Sequence, residues 1–172
     1  MGSGLESLNV GPAGASSGVL ESEINLSSVL GAYGLLCEID HDIIVPTGRL
    51  GSLKHSAGWY TYIGSAVGEI SGHVGRHLRA DKRLHWHIDW LLPHEEVEAV
   101  VIAETSQRVE CDLACFMVEG FEVIPRLGSS DCRRRGYLFY GKSYSCLFEA
   151  TLKAEEVAGC QPKGILRSLL AR

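Results

Sequence analysis

LGAYGLLCEI, residues 30–39, is the stretch on which the reading of the fold turns: it is apolar almost throughout, strand-like, and followed by the turn chemistry of DHD, PTG and GRLG. A second run, GWYTYIG at residues 58–64, alternates in the manner of a strand. Its period of two places Tyr60 and Tyr62 on one face and Trp59, Thr61 and Ile63 on the other. The two runs are read as an antiparallel pair.

Past Gly68 the apolar residues change to helical spacing, with Ile70, Val74 and Leu78 along one stripe and His73, Arg76 and His77 beside it. Gly72 and Gly75 each weaken such a helix by about 1 kcal/mol against alanine. HWHIDWLLP at 85–93 is a short apolar segment stopped by Pro93, and VEAVVIAE at 97–104 reads as a buried strand. RVECDLACFMVEG at 108–120 reads as a helix, with Val109, Leu113, Phe116 and Met117 on one face and Gly120 ending it. YLFYG at 137–141 is a further strand, and SCLFEATLKAEE at 145–156 a last strand or helix. These elements predict an α+β fold, a small mixed or antiparallel sheet flanked by helices. The predicted domain spans residues 25–155. Residues 1–24, rich in Gly and Ser, are expected to be a flexible leader, and residues 156–172 a loosely attached helical tail.

The chain of 172 residues, 45% hydrophobic and 22% charged, can bury a core and is far from the composition of disorder. No apolar run reaches the roughly 20 residues of a membrane span, and the first residues have neither the basic start nor the continuous apolar core expected of a signal peptide. A cytoplasmic protein without membrane contact is expected. The cysteines lack the C-x-x-C spacing of a zinc knuckle; Cys37, Cys111, Cys115 and Cys146 sit in apolar segments and read as reduced thiols packed as small hydrophobes. The net charge of −5 argues against a general nucleic-acid coat protein. Positive charge is nonetheless concentrated in two patches, Arg76, Arg79, Lys82 and Arg83, then Arg126, Arg133, Arg134 and Arg135, either of which could hold a phosphate backbone or be a solvated loop.

His73 and His77, four apart, have the spacing of two metal ligands on one helix, and His85, His87 and Asp89 would share a face if their segment were extended. Such a histidine metal site is a rival reading, although Val74 stands where an H-E-x-x-H motif needs its glutamate. Asp89 could alternatively hold His87 by a hydrogen bond. Glu110 lies one step from the apolar stripe and should be partly shielded at the edge of the core.

Taken in order, Gly31-Ala32-Tyr33, GRLG, GWYTYIGSA with Tyr62-Ile63-Gly64, RHLR, HWHIDWLL, ECDLA and GSSDC resemble the GIY-YIG nuclease superfamily. The likeness is nearest to an uncharacterised archaeal and bacterial branch found at times beside endonuclease III, and it runs from about residue 30 to 153. The resemblance implies a divalent-metal-dependent endonuclease with Mg²⁺ or Mn²⁺ as cofactor, nucleic acid, with DNA favoured, as partner, and a place in DNA repair. By that resemblance Tyr62 orients or deprotonates the attacking water, Tyr33 supplies a second hydroxyl, His77 shares a proton, and Glu110 is the metal ligand. One carboxylate suits Mg²⁺, which keeps most of its waters and takes substrate oxygens. The sequence departs from the family in two places. His73 stands at the usual arginine position, which leaves Arg76 as the substitute charge clamp, since neutral histidine replaces a fixed guanidinium poorly. After GSSDC, Arg134 and Tyr137 take the places of a Cys and a His, so thiol or metal chemistry at Cys132 is not expected; Arg133, Arg134 and Arg135 beside Tyr137 and Tyr140 suit phosphate and base contact instead. Arg79, Lys82 and Arg83 are assigned to the nucleic acid as well. The alternative is a non-catalytic nucleic-acid-binding or partner-binding module on the same scaffold, favoured if Arg76 points away from the phenol and carboxylate cluster.

Overall fold

The computed structural model describes residues 30–66, 68–128 and 135–170. The expected leader, residues 1–24, lies outside them. In chain order the elements are β1 (Gly31–Ile39), β2 (Ile43–Pro46), β3 (Ser52–His55), β4 (Gly58–Ala66), α1 (Ile70–Leu78), α2 (Ile88–Leu91), β5 (Glu96–Glu104), α3 (Glu110–Met117), β6 (Glu122–Ile124), β7 (Leu138–Gly141), α4 (Tyr144–Val157), β8 (Pro162–Leu166) and α5 (Arg167–Leu170). Six strands form one sheet in the order β6-β7-β4-β1-β5-β8, and every neighbouring pair is antiparallel. β2 and β3 make a separate two-stranded ribbon. The fold is α+β, as the sequence predicts.

β1 is central, pairing with β4 on one edge and β5 on the other, which is why LGAYGLLCEI is apolar on both faces. Packing covers both faces. A Cβ at Gly31 would lie 2.5 Å from Ile70 of α1, whereas one at Gly34 would lie 2.5 Å from Thr151 of α4. α1 therefore packs on the face that carries Tyr33 and Leu35, and α4 on the opposite one. α3 packs beside α4 and against β4. Ser143 caps α4, its hydroxyl accepting from the backbone N–H of Cys146, and Thr151 bonds Thr61 across the helix–sheet interface.

Four local expectations are corrected. In α1 the buried residues are Ile70, Val74 and His77, while Leu78 is 38% exposed. At about 100° per residue, a step of seven returns nearly to the starting face and a step of eight overshoots it, so His77 rather than Leu78 completes the stripe. The segment around residues 85–91 is not extended; it turns into α2, so His85, His87 and Asp89 do not share a strand face. The tail is not simply helical, because β8 pairs with the outer edge of β5 and only α5 beyond it is helix. Pro162 is tolerated there since β8 is an edge strand and Pro162 its first residue. Cys146 is exposed on α4 rather than packed in the core.

Candidate functional site

Glycine at position 64 is what lets the site form. Tyr33 on β1 is paired with Gly64 on β4, and its ring lies across that strand: a Cβ at Gly64 would stand 2.4 Å from the ring and 2.6 Å from the hydroxyl oxygen. Any side chain would displace the phenol. Tyr62, two residues earlier on the same face, lies beside it, and β7 pairs only with Trp59 to Tyr62 of β4. The later part of β4 is thus free to wall a cavity of about 750 Å³, lined among others by Tyr33, Tyr62, Gly64, His73, His87 and Glu110.

Beneath the phenols sits His77, its side chain fully buried. Its Nε2 lies 2.9 Å from the Tyr33 hydroxyl, and its ring meets that of Tyr62 edge-on at 6.0 Å. Burial holds its pKa down to about 4, with the opposing pull of Asp89 outweighed. Burial likewise raises the Tyr62 phenol to about 12, helped by the charge of Asp89, and pushes Tyr33 well above its ordinary value. All three groups are neutral at pH 7.

Asp89, at the start of α2 and wholly buried, ties α1 to the turn before α2. It accepts two hydrogen bonds from the Arg76 guanidinium, at 3.1 and 2.8 Å, and one each from the backbone N–H groups of His85 and Trp86 at 2.9 Å. His77 Nδ1 is 3.6 Å away and Lys82 Nζ 4.0 Å. Burial alone would raise this carboxyl, but the Arg76 bonds and the two N–H donors outweigh it and hold Asp89 below its usual range. The Arg76 guanidinium also lies 4.2 Å from the centre of the Trp86 ring, against which His73 stacks.

Glu110 opens α3, where a carboxylate suits the helix N-terminus. It is half-buried, as expected, and its Oε2 is buried without a hydrogen-bond partner among the described residues. The structure therefore brings Tyr33, Tyr62, His73, His87 and Glu110 to one cavity with His77 immediately behind it. Arg76 is not brought there; it faces Asp89 and the carbonyl of Arg83. Asp89 holds Arg76 rather than His87, whose Nδ1 accepts from the Gly128 N–H. Lys82 is not a solvated cation: its ammonium donates to the His77 carbonyl and its side chain is 7% exposed. Arg79, Arg83 and Arg135 are exposed, Arg126 is exposed with a left-handed backbone, and Arg133, Arg134 and Cys132 lie outside the described residues. The histidines do not gather into a metal cluster, and no three His, Cys, Asp or Glu side chains come together to hold an ion among the described residues.

Sequence reasoning missed Arg108, the single Lys or Arg lining the cavity among the described residues, exposed and without an ion-pair partner there. Its position two residues before Glu110, at the entry to α3, was the available signal. Trp86, Cys111 and Tyr137 also line the cavity; the Cys111 thiol and Tyr137 hydroxyl are 3.1 Å apart.

The fold and cavity define a small antiparallel α+β domain whose site combines buried phenols, a buried imidazole and a half-buried carboxylate. A family model described as a domain of unknown function, DUF123, matches residues 32–160, and the chain belongs to that family. No curated protein and no solved structure matches it.

Proposed function

We propose that this protein is a divalent-metal-dependent endonuclease of the GIY-YIG type, acting on DNA phosphodiester bonds. The observation that carries the reading is the convergence on one cavity of Tyr33, Tyr62 and Glu110, residues 77 positions apart along the chain at their extremes, with His77 bonded to the first of them. Glu110 fits the metal: its Oε2 is a buried carboxylate oxygen with no hydrogen-bond partner among the described residues, and a single carboxylate leaves a Mg²⁺ or Mn²⁺ ion free to take water and phosphate oxygens. When bound, such an ion neutralises charge on the phosphate and acidifies water. The phenols, neutral at pH 7, act by orienting the attacking water rather than as standing phenolates. Arg108 supplies the fixed cation that His73 cannot, in place of Arg76.

The test is cleavage of labelled single-stranded, duplex, flap and branched DNA and RNA with Mg²⁺ or Mn²⁺. Metal-dependent cutting is expected, abolished by Glu110→Ala and reduced about 100-fold or more by Arg108→Ala, on the scale of losing one electrostatic stabiliser. Cutting that survives Glu110→Ala would overturn the assignment. The second reading, a nucleic-acid-binding module without catalysis, draws on Arg76 being turned to Asp89; binding without cutting by the unaltered protein would establish it.

A further inference from the structure

The structure assigns Asp89 a positioning role: by facing the Nδ1 edge of His77 it fixes the imidazole tautomer that makes Nε2 an acceptor, so that the Tyr33 hydroxyl donates inward and turns its lone pairs to the cavity. Asp89 Oδ1 lies 3.6 Å from Nδ1, too far for a hydrogen bond, and Nδ1 is buried without a hydrogen-bond partner among the described residues, so the carboxylate acts on it through its charge. Nε2 lies 2.9 Å from the Tyr33 oxygen, and the ring thus sits between carboxylate and phenol. A neutral imidazole carries one N–H, and the group facing one nitrogen decides the role of the other. A carboxylate can only accept, whereas a phenol can donate or accept. The carboxylate therefore dictates the tautomer and the phenol adapts. The charged groups around the ring do not alter this: Arg76 and Lys82 are donors aimed at Asp89 or at the His77 carbonyl, and the Arg76 guanidinium, by gripping Asp89 twice, keeps it ionised and in place. The backbone donors of His85 and Trp86 fix the same carboxylate from the turn before α2.

The consequence at the phenol rests on the nuclease reading. With its proton held by His77, the Tyr33 oxygen is left as an acceptor towards the cavity, the role needed to hold one proton of a water while that water's own lone pair faces a phosphate. No proton has to leave either group at rest.

The tautomer can be read without any substrate, from the ring ¹⁵N shifts of the whole protein at neutral pH. We expect His77 to show a protonated Nδ1 and an unprotonated Nε2, to keep that state in Tyr33→Phe, and to move towards protonated Nε2 in Asp89→Asn. Cleavage by Asp89→Asn should fall about 10–100-fold, the usual cost of losing a residue that orients another. A protonated Nε2 in the unaltered protein, or a Tyr33→Phe variant that switches tautomer, would overturn the proposal even if Asp89→Asn fails to fold. The two readings fail separately: a correct tautomer without cutting removes the nuclease assignment alone, and cutting with the wrong tautomer removes only the role of Asp89.

Discussion

Arg76 and Arg108 carry the same guanidinium into different surroundings, and their substitutions should part accordingly. Arg76→Ala leaves the Asp89 carboxylate wholly buried and robbed of its closest cation; such a loss costs about 3–5 kcal/mol, and the 23% exposure of the Arg76 side chain places the expectation at the lower end. Arg108→Ala removes an exposed side chain and should shift stability by no more than about 0.5 kcal/mol while weakening substrate contact. Urea unfolding separates the two, and an Arg76→Ala protein as stable as the parent would refute the structural role given to that residue. At this scale the sequence was only partly legible. Tyr33, Tyr62 and Glu110 could be found because short motifs mark them, and Glu110 stands as shielded as its position beside Val109 suggests. The roles of Arg76, Lys82 and Asp89 could not, since each depends on the turn before α2 folding back onto α1, a tertiary event that no local spacing encodes.

Among the elements, β1 and β4 show how backbone proximity is written into a motif. Gly64→Ala should push the Tyr33 ring off β4, costing about 1–3 kcal/mol as overpacking does, and should separate Tyr33 from His77. A crystal structure of the variant with the Tyr33–His77 bond intact would sink this account. Continuous apolar runs revealed β1 and β5, which are packed on both faces, and alternation revealed β4. β8 escaped notice because Pro162 and Gly164 read as breaks, yet Pro162 begins an edge strand and Gly164 admits the Phe148 ring, which a Cβ would approach to 2.5 Å. The face of α1 was misjudged by one residue, and that residue is His77.

The molecule as a whole should have its stability limited from both sides of pH. Burial lifts Glu95 to about 7 against a smaller opposing pull from the Cys37 thiol, and both its oxygens are buried. Between pH 4.5 and 7 this carboxyl is neutral in the fold but ionised in the unfolded chain. Its contribution is therefore complete below 4.5 and lost as pH climbs through 7, a swing of about 3 kcal/mol. Buried Glu155, also raised, acts in the same direction. His77, lowered to about 4 from 6.5, acts oppositely: its contribution is complete above 6.5 and lost as pH falls through 4, and the depressed Asp89 adds to that acid limb. Glu95→Gln should gain on the parent by about 3 kcal/mol between pH 5 and 8 in urea titrations; equal slopes in the two proteins would contradict it. The central placement of β1 also bears on synthesis. Both of its hydrogen-bonding neighbours come later in the chain, β5 only by Glu104. At roughly 5–20 residues per second, the most apolar strand of the nascent chain waits several seconds for its second edge to be covered, an interval in which a ribosome-associated chaperone has an extended hydrophobic segment to hold.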